Sequence, residues 1–186
     1  METMALRDEV SPEMRDRLAN NRHGRLTVDQ WKDMVTEPIL ILLLLTIAAV
    51  LVFGPRLLVL TARGMVFLVL AVLLMLVVPL AFRAWRYARA PVHFERLYAG
   101  DNPTSAVLFW RPQVLYTENG TEIRFRRRLA PITQLRPNRA YYVYYLRDAG
   151  QYVLLSMAPA DHPEAEQWQP SPTFYERFAR RTGRSA

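Results

Sequence analysis

The sequence contains no cysteine, and this absence removes several kinds of chemistry at once. Without cysteine the chain has no disulfide, no thiolate metal site and no cysteine nucleophile. Histidine is scarce, with three in 186 residues, and lysine occurs only once, as Lys32. The seven glycines form no glycine-rich loop of the kind that binds phosphate groups.

Few candidates for catalysis or metal binding are left. A zinc site needs three or four converging ligands, and a serine nucleophile needs a base partner. Two serines, Ser105 and Ser156, fall in predicted strands without such a partner. We therefore predict no catalytic residue, no metal and no cofactor, and expect that the protein is not an enzyme. The histidine–carboxylate pairs weighed for a metal are His93-x-Glu95 and His162-x-Glu164.

Two long apolar runs stand out in the first half of the chain. Residues 39–53 contain Thr46 as their only polar residue, and residues 65–82 contain none. A helix that crosses a bilayer needs about 20 predominantly apolar residues. The runs therefore predict a transmembrane helical hairpin over 38–83, with spans at about 38–53 and 65–82.

The residues beside these runs predict an orientation. Arginines and one lysine lie before the first run and after the second, while the short connection holds only Arg56 and Arg63. By the positive-inside rule, this pattern predicts an integral protein of the cell (inner) membrane with both termini cytoplasmic. Three aromatic residues flank the runs and are candidate anchors at the membrane interface: Trp31, Trp85 and Tyr87.

The hairpin divides the chain into further segments. Residues 1–37 form a polar N-terminal arm with short amphipathic helices, and residues 90–158 form a small antiparallel β-domain. Residues 159–186 are a proline-rich linker followed by a C-terminal amphipathic helix. The predicted fold class is an α+β membrane protein, in which the β-domain is either an open sheet or a partly closed barrel.

The arm carries a specific helix start. Thr27 is a capping residue, and Gln30 three positions later completes a capping box. Trp31, Met34 and Val35 then share one helix face. This face can rest on the bilayer surface or pack against the protein's own C-terminal domain, and the sequence leaves both alternatives open.

Short runs rich in β-branched and aromatic residues predict the strands. Asn119-Gly120 is the preferred pair for a type I′ hairpin turn, and Asp148-Ala149-Gly150 fits a three-residue hairpin loop. The predicted strands are 92–98, 105–110, 113–116, 122–129, 141–147 and 152–157.

Arginine recurs at alternate positions of one predicted strand. Alternation places Arg124, Arg126 and Arg128 on one face, while Ile123 and Phe125 point to the other. This row is the candidate surface for lipid headgroups or an acidic partner. The competing interpretation is a solvated face with salt bridges to Glu118 or Glu122.

Charge is distributed unevenly between the two ends of the chain. Residues 1–37 hold six basic and eight acidic groups, whereas residues 83–186 hold sixteen basic and nine acidic groups. Basic residues close to a membrane are attracted to anionic lipid. The expected partners are therefore the lipid bilayer, anionic lipid headgroups, and a larger membrane complex or a homo-oligomer. Nucleic acid is not expected, because no binding motif accompanies the charge.

The layout resembles a group of small uncharacterised bacterial membrane proteins with two transmembrane helices and a cytoplasmic β-domain. The segments that carry the resemblance are 21–30 (NRHGRLTVDQ), Tyr144-Tyr145-Leu146 and Leu154-Leu155-Ser156-Met157. The resemblance implies an architecture and a bacterial origin, and it assigns no residue a role. Two functions remain open: a membrane-anchored, non-catalytic accessory or scaffold protein, and a membrane-tethered sensor or regulatory module that binds a small ligand or a soluble protein.

Overall fold

A computed structural model describes most of the chain, which divides into two compact units. One unit combines Met1–Gln30 with Ala90–Ala186, and the other is Trp31–Arg89. The N-terminal arm therefore belongs to the same unit as the strands, although the second unit separates them in sequence. The described residues are 10–36, 43–45, 47–48, 51–52, 62–100, 112–131, 134–148 and 150–183.

Five strands form a closed barrel in the first unit. Around the barrel the strand order is β1-β2-β3-β5-β4, and β4 pairs with β1 to close it. The strands are β1 (Val92–Ala99), β2 (Gln113–Tyr116), β3 (Glu122–Arg128), β4 (Ala140–Asp148) and β5 (Gln151–Pro159). The additional strand predicted at 105–110 lies outside the described residues.

The barrel corrects the predicted β-domain in two respects. Its sheet is closed, so it is neither an open sheet nor a partly closed barrel. It is also not wholly antiparallel, because β3 pairs with β5 in parallel. Neighbouring strands along the chain favour antiparallel hairpins, and this preference led to the wrong prediction for β3 and β5, which are separated in sequence by β4.

The β2–β3 hairpin also differs from its predicted turn type. A type I′ turn requires positive φ at both central residues, whereas only Gly120 of the predicted pair has one, at 76°. The Thr117 amide donates to the Thr121 carbonyl at 2.9 Å, which leaves a three-residue loop. The left-handed position at the end of that loop accounts for the glycine.

Alternation along the strands fills the barrel with large side chains. Leu97, Leu115, Phe125, Tyr141 and Val143 are each at most 1% exposed. Strand β5 is different, because it is buried continuously from Val153 to Pro159. Both faces of β5 are therefore covered, and its outer face needs a covering element.

The N-terminal arm supplies that cover. Helix α1 (Pro12–Asn21) begins after Ser11, whose hydroxyl accepts from the Met14 amide at 3.2 Å. Asn21 Nδ2 then donates to Ser156 Oγ on β5 at 2.7 Å, and both residues are fully buried. The Arg17 guanidinium donates to the Leu129 carbonyl that follows β3. Helix α1 is thus joined to the barrel by specific polar contacts.

Helix α2 (Val28–Thr36) begins with a reciprocal capping box. The Thr27 amide donates to Gln30 Oε1 at 3.0 Å, and the Gln30 amide donates to Thr27 Oγ1 at 3.2 Å. Gln30 Nε2 also donates to the Leu155 carbonyl on β5 at 2.8 Å. One fully buried side chain therefore caps the helix and attaches the arm to the barrel.

The chain after β5 also packs on the barrel. A short 3-10 helix (Ala165–Trp168) places the Trp168 carbonyl 2.6 Å from the Tyr144 hydroxyl, which donates to it. Helix α4 (Pro172–Thr182) follows and brings Phe174 against the Tyr144 ring, with the ring centres 5.9 Å apart. Arg181 of α4 donates to the Ala90 carbonyl at 2.9 Å.

The second unit contains helix α3 (Ala62–Arg89), which includes the second predicted span. Most of the first predicted span lies outside the described residues. Nowhere in the described ranges does a helix combine the length and the apolar character that crossing a bilayer requires. The predictions of a two-helix transmembrane hairpin and of an integral inner-membrane protein with cytoplasmic termini are therefore wrong.

The error has a physical reason. Hydropathy counts apolar residues along a sequence, and that count does not establish that a helix of the fold is long and apolar enough to cross a bilayer. Helix α3 contains Pro79 in its interior, and Arg86 and Arg89 in its last turn.

Candidate functional site

The candidate site begins on strand β3, where side chains alternate across the barrel wall. Ile123 and Phe125 are buried, whereas Glu122, Arg124 and Arg126 are exposed. Strand geometry sends successive side chains to opposite faces. The outer face of this half of β3 therefore carries one carboxylate and two guanidinium groups.

A β-bulge interrupts this alternation before the predicted row is complete. In the pairing with β5, Phe125 lies opposite Tyr152, but Arg127 lies opposite the very next residue, Val153. Arg126 is therefore the extra residue of the bulge. Beyond it Arg128 is half-buried, and burial lowers the pKa of its guanidinium. The three predicted arginines do not form one continuous row.

Arg124 and Arg126 instead line an open groove of about 480 Å³. Strand β3 provides one wall, and the start of β5 with the preceding loop provides the other. Gly150, in that loop, has a φ of 78°, and no described residue has an atom within 4 Å of the position that a Cβ would occupy. The described residues that line it are Glu122, Arg124, Arg126, Gly150, Gln151 and Tyr152.

The two groove arginines differ in their partners. Arg124 Nε donates to Glu122 Oε1 at 2.6 Å, and its Nη2 donates to Oε2 at 3.2 Å. This hydrogen bond raises the pKa of Arg124 and lowers the pKa of Glu122. Arg126 has no hydrogen bond or ion pair with any residue that the structure describes. The groove therefore offers one guanidinium paired with Glu122 and one without a partner among the described residues.

Tyr152 at the groove wall is held from behind by the aromatic core. Its ring meets Tyr145 edge-on, with centroids 5.6 Å apart, and meets Phe125 in the same way at 6.2 Å. The Tyr145 hydroxyl donates to Glu95 Oε1 at 2.8 Å, and burial raises its pKa. Side chains locked by such packing keep a binding surface preorganised.

The lining residues of β5 escaped the sequence analysis. The sequence indicates a turn at 148–150 and a strand over 152–157, but no feature of it marks Gln151 or Tyr152 as part of a site. They reach the arginines only because β5 pairs with β3 in parallel. No local pattern signals that pairing, so the arginines were predicted without the opposite wall of their groove.

The two histidines weighed for a metal, His93 and His162, lie in separate places. His93 stacks on Tyr145 at 5.2 Å and meets Phe178 edge-on at 5.2 Å, and burial lowers its pKa. His162 is buried against Trp168 and accepts the Glu164 amide proton at Nδ1. Within the described ranges, no three histidine or carboxylate side chains converge as metal ligands would.

Only one of the two candidate serines lies among the described residues. Ser156 is fully buried, and its hydroxyl accepts from Asn21. Ser156 therefore contributes to the contact between the N-terminal arm and the barrel. Ser105 lies outside the described residues.

The aromatic residues predicted as membrane-interface anchors lie in the second unit. The Arg89 guanidinium stands 3.9 Å from the centre of the Trp85 ring, and the Arg83 guanidinium stands 5.5 Å from that of Tyr87. Tyr87 is buried, Trp31 is partly exposed and Trp85 is exposed. Their assignment as membrane-interface anchors stays a prediction.

Comparisons of the chain with protein-family models, with curated proteins and with solved structures gave no significant match.

Proposed function

We propose that the chain is a non-catalytic accessory or scaffold protein whose barrel binds a segment of a partner protein, through one acidic side chain, in the groove of β3 and β5. The observation that carries this proposal is Arg126, a guanidinium without a partner among the described residues, next to Arg124 in a preformed groove. A guanidinium presents a planar set of donors that matches a carboxylate.

The charge of the groove favours a protein over a polyanion. Two arginines and one glutamate line it, so their formal charges sum to +1. Binding of nucleic acid draws on several phosphate contacts at once, and recognition of anionic lipid uses clusters of about four to eight basic residues. A groove with a carboxylate in its own wall suits one acidic side chain better than a polyanion.

The closed barrel also indicates how a partner would bind. Peptides often add a strand to an open sheet edge, but closure of this barrel pairs its edge strands. The partner would therefore be held by its side chains. Some five-stranded Greek-key barrels bind oligonucleotides or oligosaccharides on strands 2 and 3 and at the loop between strands 4 and 5, so the analogy concerns the place of binding and not the kind of ligand. That fold-level analogy agrees with the position of the groove, and it is an analogy only.

The test uses the full chain and a short peptide with one glutamate among serine and glycine residues. We expect the amide signals of Gly150 and Gln151 to shift in NMR spectra during titration with this peptide. The same peptide with glutamine in place of glutamate should leave them unchanged. The shifts should weaken with added salt, because salt screens exposed charges.

Matched variants distinguish binding in the groove from a general effect of positive charge on the protein. Arg124→Gln combined with Arg126→Gln should abolish the shifts. Arg25→Gln combined with Arg180→Gln removes the same charge from exposed positions outside the groove and should preserve them. Equal loss of binding in both double variants would reject the groove as the binding site.

A second candidate is a sensor or regulatory module that binds a small anion. The groove volume lies within the range of about 300 to 1,000 Å³ that is typical of small-molecule sites. Succinate is a suitable probe. If succinate shifts the groove signals at lower concentration than the glutamate peptide, the sensor is favoured. Stronger binding of a single-stranded oligonucleotide or of anionic vesicles, lost with the groove arginines, would replace the proposed protein partner.

A further inference from the structure

Glu122 has a special position in the groove. It lies two residues before Arg124 on the same face of β3, and its carboxylate contacts both Nε and Nη2 of that guanidinium. This is the two-point geometry in which arginine binds a carboxylate of a ligand. The chain thus presents one of its own carboxylates to the arginine that a partner's carboxylate would use.

We propose that Glu122 is an internal competitor, which an incoming carboxylate must displace from Arg124. This inference rests on the proposed function of the groove. Arg126 is the first point of contact, because it has no partner among the described residues. The bound carboxylate then exchanges with Glu122 on Arg124.

The exposure of the ion pair makes such an exchange easy. The side chains of Arg124 and Glu122 are 66% and 36% exposed. Ion pairs exposed to solvent contribute little to stability, because water and salt screen them. Breaking the pair therefore costs the fold little, and the hydrogen bonds that Arg124 loses are made again with the ligand.

The same residue also restricts which ligands bind. After displacement the Glu122 carboxylate remains in the groove wall, where it repels each negative charge on the ligand. A ligand with a single carboxylate meets this repulsion once, whereas a polyanion meets it at several charges. Glu122 thus selects isolated acidic side chains over runs of acidic groups.

The variant Glu122→Gln in the full chain tests the inference. Glutamine has a similar shape and no charge, so the variant weakens the interaction of residue 122 with Arg124 and keeps the shape of the groove. At low salt we expect the glutamate peptide to bind roughly two- to fivefold more tightly, which corresponds to loss of an exposed ion pair. A peptide with three consecutive glutamates should gain more than the peptide with one.

Glu118→Gln is the matched control. Glu118 is exposed in the β2–β3 turn and does not line the groove, so this variant removes the same charge nearby. It should bind the peptide as the parent does. Adding Arg124→Gln to Glu122→Gln should cancel the gain, because no guanidinium remains to be released.

The outcomes separate the two proposals. Suppose that the parent binds the peptide in the groove but Glu122→Gln binds it no more tightly, or Glu118→Gln gains as much affinity. Glu122 is then not an internal competitor, whereas the proposed binding in the groove is retained. If neither parent nor variant shows groove shifts with any acidic peptide, the proposed function fails. Thermal unfolding of each variant verifies that the fold is intact.

Discussion

Arg124 and Arg126 have the same side chain but different electrostatic surroundings. One is held by Glu122, and the other has no partner among the described residues. Because an exposed ion pair contributes little to stability, replacing either arginine should affect ligand binding more than folding. This separation makes the groove variants informative about function.

His93 provides a prediction about pH at the scale of one residue. Burial lowers its pKa below the ordinary value of 6.5, Glu95 opposes this effect, and Arg147 adds to it. Below that ordinary value the unfolded chain therefore binds more protons than the folded chain. The contribution of neutral His93 to stability is complete above pH 6.5 and is lost as the pH falls towards its folded pKa.

The measurement is thermal unfolding between about pH 7.5 and about pH 5.5. We expect the unfolding midpoint of the parent to fall across this range. His93→Phe keeps an aromatic ring between Tyr145 and Phe178 but cannot be protonated, so its midpoint should fall less. An equal fall in both proteins would show that other groups cause the pH dependence.

At the scale of elements, the start of helix α2 depends more on the side chain of Gln30 than on that of Thr27. Thr27→Ala removes an N-cap and should cost about 1 kcal/mol. Gln30→Ala removes the other half of the capping box and the hydrogen bond to the Leu155 carbonyl. Because it leaves buried polar groups unpaired, its cost should be larger, at about 2 to 3 kcal/mol.

Denaturant unfolding and hydrogen exchange of residues 28–36 measure these costs. Asp29→Ala changes an exposed position in the first turn of the same helix and is the control. It should change stability by only a few tenths of a kcal/mol. Equal effects of Gln30→Ala and Thr27→Ala would mean that the contact with β5 contributes nothing.

At the scale of the whole molecule, the two ends of the chain meet in one unit. Asn21 and Ser156 are 135 residues apart in sequence, fully buried and joined by a 2.7 Å hydrogen bond. Asn21→Ala and Ser156→Ala each remove this bond. Ser156→Ala in addition leaves the Asn21 amide group buried without an acceptor, which should cost about 1 to 3 kcal/mol.

A double-mutant cycle tests this contact between arm and barrel. Because both single variants break the same bond, the double variant should be less destabilised than the sum of the singles by about 1 kcal/mol. Denaturant unfolding of the full chain measures all four proteins. Additive effects would show that the arm and the barrel are not coupled at this point.

Much of the local structure follows from local patterns. The predicted strand 113–116 coincides with β2, and the reciprocal bonds of Thr27 and Gln30 are present as a capping box. Alternation placed Ile123 and Phe125 inside and Arg124 and Arg126 outside. Each of these features depends on residues within a few positions of one another, so a sequence contains what is needed to recognise them.

The site itself could be predicted only in part. Two of its arginines were identified, but the bulge at Arg126 and the opposite wall at Gln151 and Tyr152 were not. The bulge follows from the pairing of β3 with β5, and the same pairing brings Tyr152 to the arginines. The alternative of a salt bridge to Glu122 was recognised in the sequence, and it holds for Arg124 alone.

The sequence by itself determined the strand periods, the helix start at Thr27 and the arginine-rich face of β3. The tertiary structure alone decided that the barrel closes, that β3 and β5 run parallel, and that the arm covers β5. It also overturned the transmembrane hairpin, because apolar composition is a local property that does not by itself establish a helix able to cross a bilayer. Pairing of distant segments depends on the combined fit of many residues, and no short pattern encodes that fit.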